Sequence, residues 1–407
     1  MTMQTGSAAK RTGPALAQAR AGLHSLVLGR ILRGAAHGSL LVVEPSGRQR
    51  VFRGTEPGPE AQITLKNWRT LRRLLTAGHA GFGEDYMAGN FESPDLCALL
   101  TWAMLNEKAL SGVWQGRWPS RVVSLLGHFA NRNTPAGSRR NISEHYDLGN
   151  AFYAAWLDAG MQYSSALYSA TEQRLEAAQD AKLDRIVALL APQPTDRVLE
   201  IGIGWGALVE RLAMAKGCSV SGVTLSTDQL AYARQRLALV KPQPDLRLTD
   251  YRSLQGTFDH IVSVEMIEAV GEAYWPTYFA TLRRLLRSGG RAVIQAITIN
   301  ERYFHTYRAN PDFIQKHIFP GGMLPTIGAI GRNANSAGLN LGAIEHFGHS
   351  YALTLAEWRR RFRTAKPELR PLGFDDVFFR KWDYYLAYCE TGFRLGVLDV
   401  GLYVMEG

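Results

Sequence analysis

Cysteine is scarce in this 407-residue chain: Cys97, Cys218 and Cys389 are far apart and odd in number. That spacing excludes a disulfide framework and a paired-cysteine metal site, so a reducing cytosol is expected and no metal is. No apolar run approaches the ~18–20 residues that span a bilayer. The N-terminus also lacks a continuous apolar segment with a cleavage site. Carboxylates are missing from the first 43 residues, Glu44 being the first. Residues 1–140 hold 18 Lys and Arg against 8 Asp and Glu, whereas residues 141–407 hold 28 of each, so the whole net charge of +10 lies in the first third. Such asymmetry points to a polyanionic partner, either nucleic acid or an anionic membrane surface.

What is present is globular: 46% hydrophobic and 20% charged residues allow one large core and a second smaller one. Residues 1–14 are small, polar and basic and are expected to be disordered. From about Ala15 to Leu32, Leu16, Leu23, Val27 and Ile31 recur at helical spacing among Arg20 and Arg30, as in either a basic amphipathic helix or an ordinary packed one. A basic α+β domain is expected over 15–116, with a strand at Ser39–Val43 and a helix through Trp68–Leu75. Gly81–Tyr86 and Ser93–Leu96 punctuate its helices. A polar, basic linker at 117–141 precedes a neutral domain at 142–407. There a helix with Leu175, Leu183, Ile186, Val187 and Leu190 on one face leads into strand candidates Arg197–Ile201, Ser219–Val223, His260–Val264 and Ala292–Ile297. The helices Thr227–Leu239 and Trp275–Leu286 lie between them, which is the pattern of a doubly wound α/β sheet.

Glu200-Ile201-Gly202-Ile203-Gly204-Trp205-Gly206-Ala207 follows an apolar strand and opens a helix. Glycines let the backbone turn tightly against a ligand, and the helix start offers unpaired N–H groups. By itself the loop satisfies a dinucleotide pattern. However, Gly222-Val223-Thr224-Leu225-Ser226 has no acid for a ribose at the end of the second strand. Glu200 directly before the glycines suits the ammonium group of S-adenosylmethionine.

Further motifs occur in order: His145-Tyr146-Asp147-Leu148-Gly149-Asn150, Met161-Gln162-Tyr163-Ser164-Ser165, Thr224 to Gln229, Glu265-Met266-Ile267-Glu268-Ala269-Val270-Gly271, Ile318 to Gly322 and Tyr384 to Cys389. From about Gly38 to the C-terminus the chain resembles the cyclopropane-fatty-acyl-phospholipid synthase family, with its mycolic acid cyclopropane synthases and fatty-acid methylases. The resemblance implies a class I, Rossmann-like methyltransferase fold with a seven-stranded sheet. It also implies four cofactor-binding segments: Tyr163 and Ser164 over the methionine end, Glu200 with Gly202, Gly204, Trp205 and Gly206 beneath it, Thr224, Leu225, Ser226 and Gln229 at the ribose, and Tyr251 and Arg252 at the adenine.

The implied reaction adds a methylene group from S-adenosylmethionine across a cis double bond of a phospholipid acyl chain, giving a cyclopropane. An alkene is a poor nucleophile, so it must be pressed against the sulfonium methyl in a dry pocket, and a base must then remove a proton. In the family that base is a bicarbonate ion held by Cys, Glu, His, a backbone group at Ile, and Tyr. The matching positions are Ser165, Glu268, Gln295, Ile297 and Tyr351, so two depart from the pattern, and Ala269 stands where many relatives carry His. The hydroxyl and carboxamide still offer hydrogen-bond donors. Glu265 and Glu268 lie three apart at a strand's C-terminal end, which favours function for at least one. Cys389 matches a thiol described as an active-site residue, although its surroundings read as helix packing.

The alternatives are a fatty-acid methylase leaving a methylene or methyl branch, a nucleic-acid methyltransferase, and a non-catalytic lipid-binding relative. No Asn/Asp-Pro-Pro-Tyr-type motif appears, so nucleic acid is not expected as a partner. The expected partners are an anionic phospholipid surface, met peripherally from the cytoplasmic side, and unsaturated acyl chains; a homodimer is left open.

Overall fold

The structure, a computed structural model, describes residues 14–114 and 148–407. The linker expected at 117–141, the tail before Pro14 and the His145-Tyr146-Asp147 part of one motif lie outside the described residues. The chain divides into two compact units, residues 1–117 and 118–407.

The first unit packs α1 (Pro14–Leu32), α2 (Arg69–Met87), α3 (Leu96–Leu105) and α4 (Glu107–Trp114) with a four-stranded sheet. Its strands are β1 (His37–Val43), β2 (Gln49–Arg53), β3 (Glu56–Leu65) and β4 (Phe91–Glu92), in the order β2-β1-β3-β4. The phase of α1 differs from the expected apolar face: Leu28 and Leu32 are buried, while Leu23 is 62% exposed. The burial of Ser25, whose hydroxyl donates to Glu44 at 2.6 Å, fixes that rotation. Gly81–Tyr86 does not end a helix. It lies inside α2, and the break falls earlier at Gly78, whose φ of 62° a side chain rarely adopts. Asp95 does start α3, capping the Ala98 amide at 3.0 Å.

The second unit is built on a seven-stranded sheet, order β10-β11-β9-β8-β5-β6-β7. Its strands are β5 (Arg197–Ile201), β6 (Ser219–Thr224), β7 (Asp245–Leu248), β8 (Phe258–Val264), β9 (Leu286–Ile299), β10 (Asn340–His346) and β11 (Leu398–Glu406). Strands β9, β8, β5, β6 and β7 are parallel neighbours, and β11 runs antiparallel between β9 and β10. This is the expected methyltransferase sheet. The helices that position the site are α5 (Leu175–Leu190), α6 (Ala207–Lys216), α7 (Thr227–Arg236), α8 (Trp275–Leu285), α9 (Gly348–Thr364) and α10 (Asp376–Arg394). All five expected apolar residues of α5 are buried, and so are the polar Gln179 and Lys182. Among the described residues, no helix is long and apolar enough to cross a membrane.

Candidate active site

A cavity of about 180 Å³ opens beyond the C-terminal ends of β5, β6 and β8, next to the point where the chain order reverses about β5. Its floor is the glycine loop. Gly202 and Gly206 both have φ of 87°, and a Cβ on Gly206 would come within 3.2 Å of Ala233 and Leu237 on the neighbouring segment. Gly204 faces open space instead. At the tip of β5, Glu200 is 3% exposed and its Oε2 has no hydrogen-bond partner among the described residues. Burial pushes the Glu200 carboxyl up to about 8, against the pull of the Lys182 ammonium.

Of the residues expected at the cofactor, Tyr163, Ser164, Glu200, Gly202, Gly204, Trp205, Thr224, Leu225, Gln229, Tyr251 and Arg252 line this cavity, and Gly206 and Ser226 do not. Gly206 instead lets the loop enter α6 against α7, and Ser226 caps α7 by accepting from the Gln229 amide at 3.3 Å. Gln229 Oε1 accepts from Thr224 Oγ1 at 3.1 Å, which leaves its amide group as the donor end. The Arg252 guanidinium is held on Asp250 by two bonds of 2.9 and 2.6 Å. Trp205 Nε1 donates to Asn150 Oδ1 at 2.7 Å, tying the loop to the last residue of the upstream motif. An unpartnered carboxylate oxygen, a glycine cradle and fixed donors suit the cationic, hydroxyl-rich S-adenosylmethionine.

The second group of expected residues converges on a carboxylate other than the expected one. Glu265 Oε1 accepts from the Ser165 amide and from Gln295 Nε2, each at 2.8 Å, and Oε2 accepts from the Tyr351 hydroxyl at 2.7 Å. The Glu265 amide in turn donates to the Gln295 carbonyl at 2.8 Å, because β8 and β9 pair Val264 with Gln295. Glu265 has φ of 47°. A left-handed non-glycine residue costs about 1–3 kcal/mol and persists where its surroundings over-determine it. Three charge-assisted bonds do that here.

Glu268 stands apart from that group. Its Oε1 accepts from the Ile297 amide at 2.6 Å, and its Oε2 is buried without a partner among the described residues. Burial, and then repulsion by Glu265, push the Glu268 carboxyl up to about 8. Glu265 is raised as well, by burial above all. Every donor expected to grip a bicarbonate is therefore engaged by the protein: the Ile297 amide by Glu268, Tyr351 and Gln295 by Glu265, and the Ser165 hydroxyl by the Ala166 carbonyl at 2.9 Å. A further anion would join the Glu265 charge and would have to draw these donors from their present partners, so this arrangement does not fit the ion. Cys389 is hydrogen-bonded to none of these groups, and burial pushes its thiol up, away from the thiolate.

Two residues on α5 escaped the sequence reading, where polar side chains on a helix suggest a solvated face. Gln179 Nε2 donates to the Ser164 carbonyl at 3.0 Å, and Lys182 Nζ donates to the Ser164 hydroxyl at 2.8 Å. The hydroxyls of Tyr163 and Tyr385 lie 2.8 Å apart, which connects the same turn to α10.

This sheet order, with a glycine loop and an acid at the tip of β5, defines an S-adenosylmethionine-dependent methyltransferase. The fold alone is shared with coclaurine N-methyltransferase, at 16% identity and a TM-score of 0.61. Residues 134–402 match the mycolic acid cyclopropane synthetase family, and the chain belongs to it. It is 41% identical over 350 residues to tuberculostearic acid methyltransferase UfaA1 of Mycobacterium tuberculosis, covering 81% of this chain and 79% of that one. It is 34% identical to the cyclopropane-fatty-acyl-phospholipid synthase of Escherichia coli, covering 82% and 85%. Among solved structures, mycolic acid cyclopropane synthase CmaA1 complexed with SAH and CTAB superposes with a TM-score of 0.62 at 28% identity, over 66% of this chain and 98% of that one.

Proposed function

We propose that the enzyme methylates the cis double bond of unsaturated phospholipid acyl chains and removes the ensuing proton with the Glu265 carboxylate. The observation that carries this reading is the set of three donors converging on Glu265 beside the cofactor cavity. Bound S-adenosylmethionine supplies an electrophilic sulfonium methyl. Glu200 would hold its ammonium group, Gln229 the ribose, and Tyr251 and Arg252 the adenine.

The chain's own residues supply the rest. Tyr351 packs on Phe393 at 4.5 Å between ring centroids, and Tyr163 on Trp358 at 5.4 Å, a wall that excludes water and presents aromatic faces to positive charge on the acyl chain. Burial raises the affinity of Glu265 for a proton, and its three donors keep the carboxylate in one orientation. Glu268, pushed up to about 8, stays protonated at neutral pH and so does not compete as a second anion.

Proton loss with ring closure gives a cyclopropane, the product named for the Escherichia coli relative. Proton loss to a new double bond gives a methylene branch. The built-in carboxylate in place of the bicarbonate donor set, and a 41% identical relative named as a tuberculostearic acid methyltransferase, favour the branched product. The test is expression in cells supplied with cis-monounsaturated fatty acids, with lipid analysis before and after mild hydrogenation. Either product adds one methylene, but only the branched one takes up hydrogen. Lipids without the added carbon would overturn the reading.

The basic first unit would meet anionic headgroups from the cytoplasmic side. Arg30, Arg33, Arg48, Arg53, Arg69 and Arg72 are all exposed. At ~1 kcal/mol per basic residue near such a surface, a few contacts give reversible binding. Sedimentation with phosphatidylglycerol vesicles should then weaken with salt and with Arg→Gln changes at these positions; binding indifferent to both would refute the assignment.

A further inference from the structure

Lys182 is 2% exposed, in the middle of α5, and among the described residues its ammonium makes one hydrogen bond, to the Ser164 hydroxyl at 2.8 Å. A buried ammonium with unfilled donors is costly unless opposite charge offsets it. Burial pushes the Lys182 ammonium down to about 8, and the charges that oppose this are Glu265 foremost, then Asp158 and Glu200. Asp158 is already engaged by the Gly160 and Gln162 amides at 2.7 and 3.0 Å. Glu200 lies at the cofactor end of the cavity, where a cationic cofactor would satisfy it. Glu265 faces Lys182, Tyr351 and Glu268, and Lys182 is the cation among them.

Geometry links the two residues as well. Ser164, held by Lys182 through its hydroxyl and by Gln179 through its carbonyl, immediately precedes Ser165, whose amide donates to Glu265. We propose that Lys182 is a positioning residue for the reaction: around neutral pH it is the counter-charge that keeps Glu265 ionised, and it anchors the Ser164–Ser165 turn that aims the carboxylate. This rests on Glu265 being the proton acceptor. Removing the cation disfavours the charged form of Glu265, so the pH below which the base is lost moves up.

The test uses the full-length enzyme with vesicles of dioleoyl phosphatidylethanolamine and dioleoyl phosphatidylglycerol, measuring kcat from pH 6 to pH 9.5 together with the Kd for S-adenosylmethionine. Lys182→Met should move the acid limb of kcat upward by about one pH unit or more, which is a loss of about 10-fold below the limb that recovers at high pH. Lys182→Arg should keep the limb near its original position. A loss of the same factor at every pH, or an unmoved limb, overturns the proposal, because a merely structural lysine would not shift the profile. If Lys182→Met fails to fold, Lys182→Gln and Lys182→Arg make the same comparison. Glu265→Gln separates the two ideas: an active Glu265→Gln enzyme removes the base assignment, whereas an inactive one beside an unshifted Lys182→Met profile removes only the role of Lys182.

Discussion

The Tyr351 hydroxyl donates to Glu265 Oε2 at 2.7 Å, joining the first turn of α9 to the end of β8. Burial, and then the Glu265 charge, raise the Tyr351 phenol well above its ordinary range, so it remains a donor throughout the working pH. Glu265→Gln should reduce kcat by about 10²- to 10⁴-fold, the usual span for loss of a general base. Tyr351→Phe should cost less, because two of the three donors remain. Single-turnover rates beside calorimetric S-adenosylmethionine affinities check this, and affinity loss equal to the rate loss would place Glu265 in cofactor binding instead.

Glu268 should behave as a neutral acid. Its proton leaves near 4.5 in the unfolded chain and near 8 in the folded one. Between those values the unfolded state holds fewer protons, so stability falls as pH rises, by at most about 1.4 kcal/mol per unit. Glu268→Gln removes that slope. Its melting temperature should therefore gain on the parent as pH is raised from 5 to 8, while turnover at pH 7 stays close to the parent's. Glu268→Ala should instead lose about 1–3 kcal/mol, because the Ile297 amide is left without an acceptor.

Cofactor binding should release a proton. Glu200 is pushed up to about 8 by burial and should ionise when a cation arrives at its unpartnered oxygen. Affinity then rises with pH below 8, and the calorimetric enthalpy at pH 7 depends on the ionisation enthalpy of the buffer. Glu200→Gln should abolish that dependence. An identical enthalpy in phosphate and Tris with the parent enzyme would rule the linkage out.

Gly206→Ala tests the loop. Its φ of 87° strains any side chain, and the 3.2 Å approach to Ala233 and Leu237 makes those neighbours yield to a methyl group, so a loss of about 1–3 kcal/mol is expected in urea unfolding. Gly217, also left-handed but facing open space, should lose less on the same change; equal losses would mean that packing at Gly206 contributes nothing.

Much of the second unit was legible because its strands are apolar runs bounded by glycine and its motifs are local. Glu200 to Gly206 is continuous in sequence and folds as one turn, so the cofactor cradle followed from residue order. Strand β7 escaped because Asp245-Leu246-Arg247-Leu248 is short and has only Leu246 buried. The apolar face of α1 was misphased because helical spacing alone does not say that Ser25 turns inward to meet Glu44.

The amino-acid sequence by itself determined the methyltransferase architecture, the glycine loop with its acid, and the concentration of positive charge in the first 140 residues, all of which depend on neighbours along the chain. Tertiary structure alone decided which carboxylate collects the donors. Ser165, Glu265, Gln295 and Tyr351 come from four separate segments, and the pairing of β8 with β9 and the packing of α9 bring them together. Spacing that treats Glu265 and Glu268 alike cannot separate them, because the difference lies in the backbone turn at Glu265 and in which amides each oxygen meets. Lys182 depended on the fold in the same way, since a lysine in a helix is ordinarily solvated and only the walls around α5 make it a buried counter-charge.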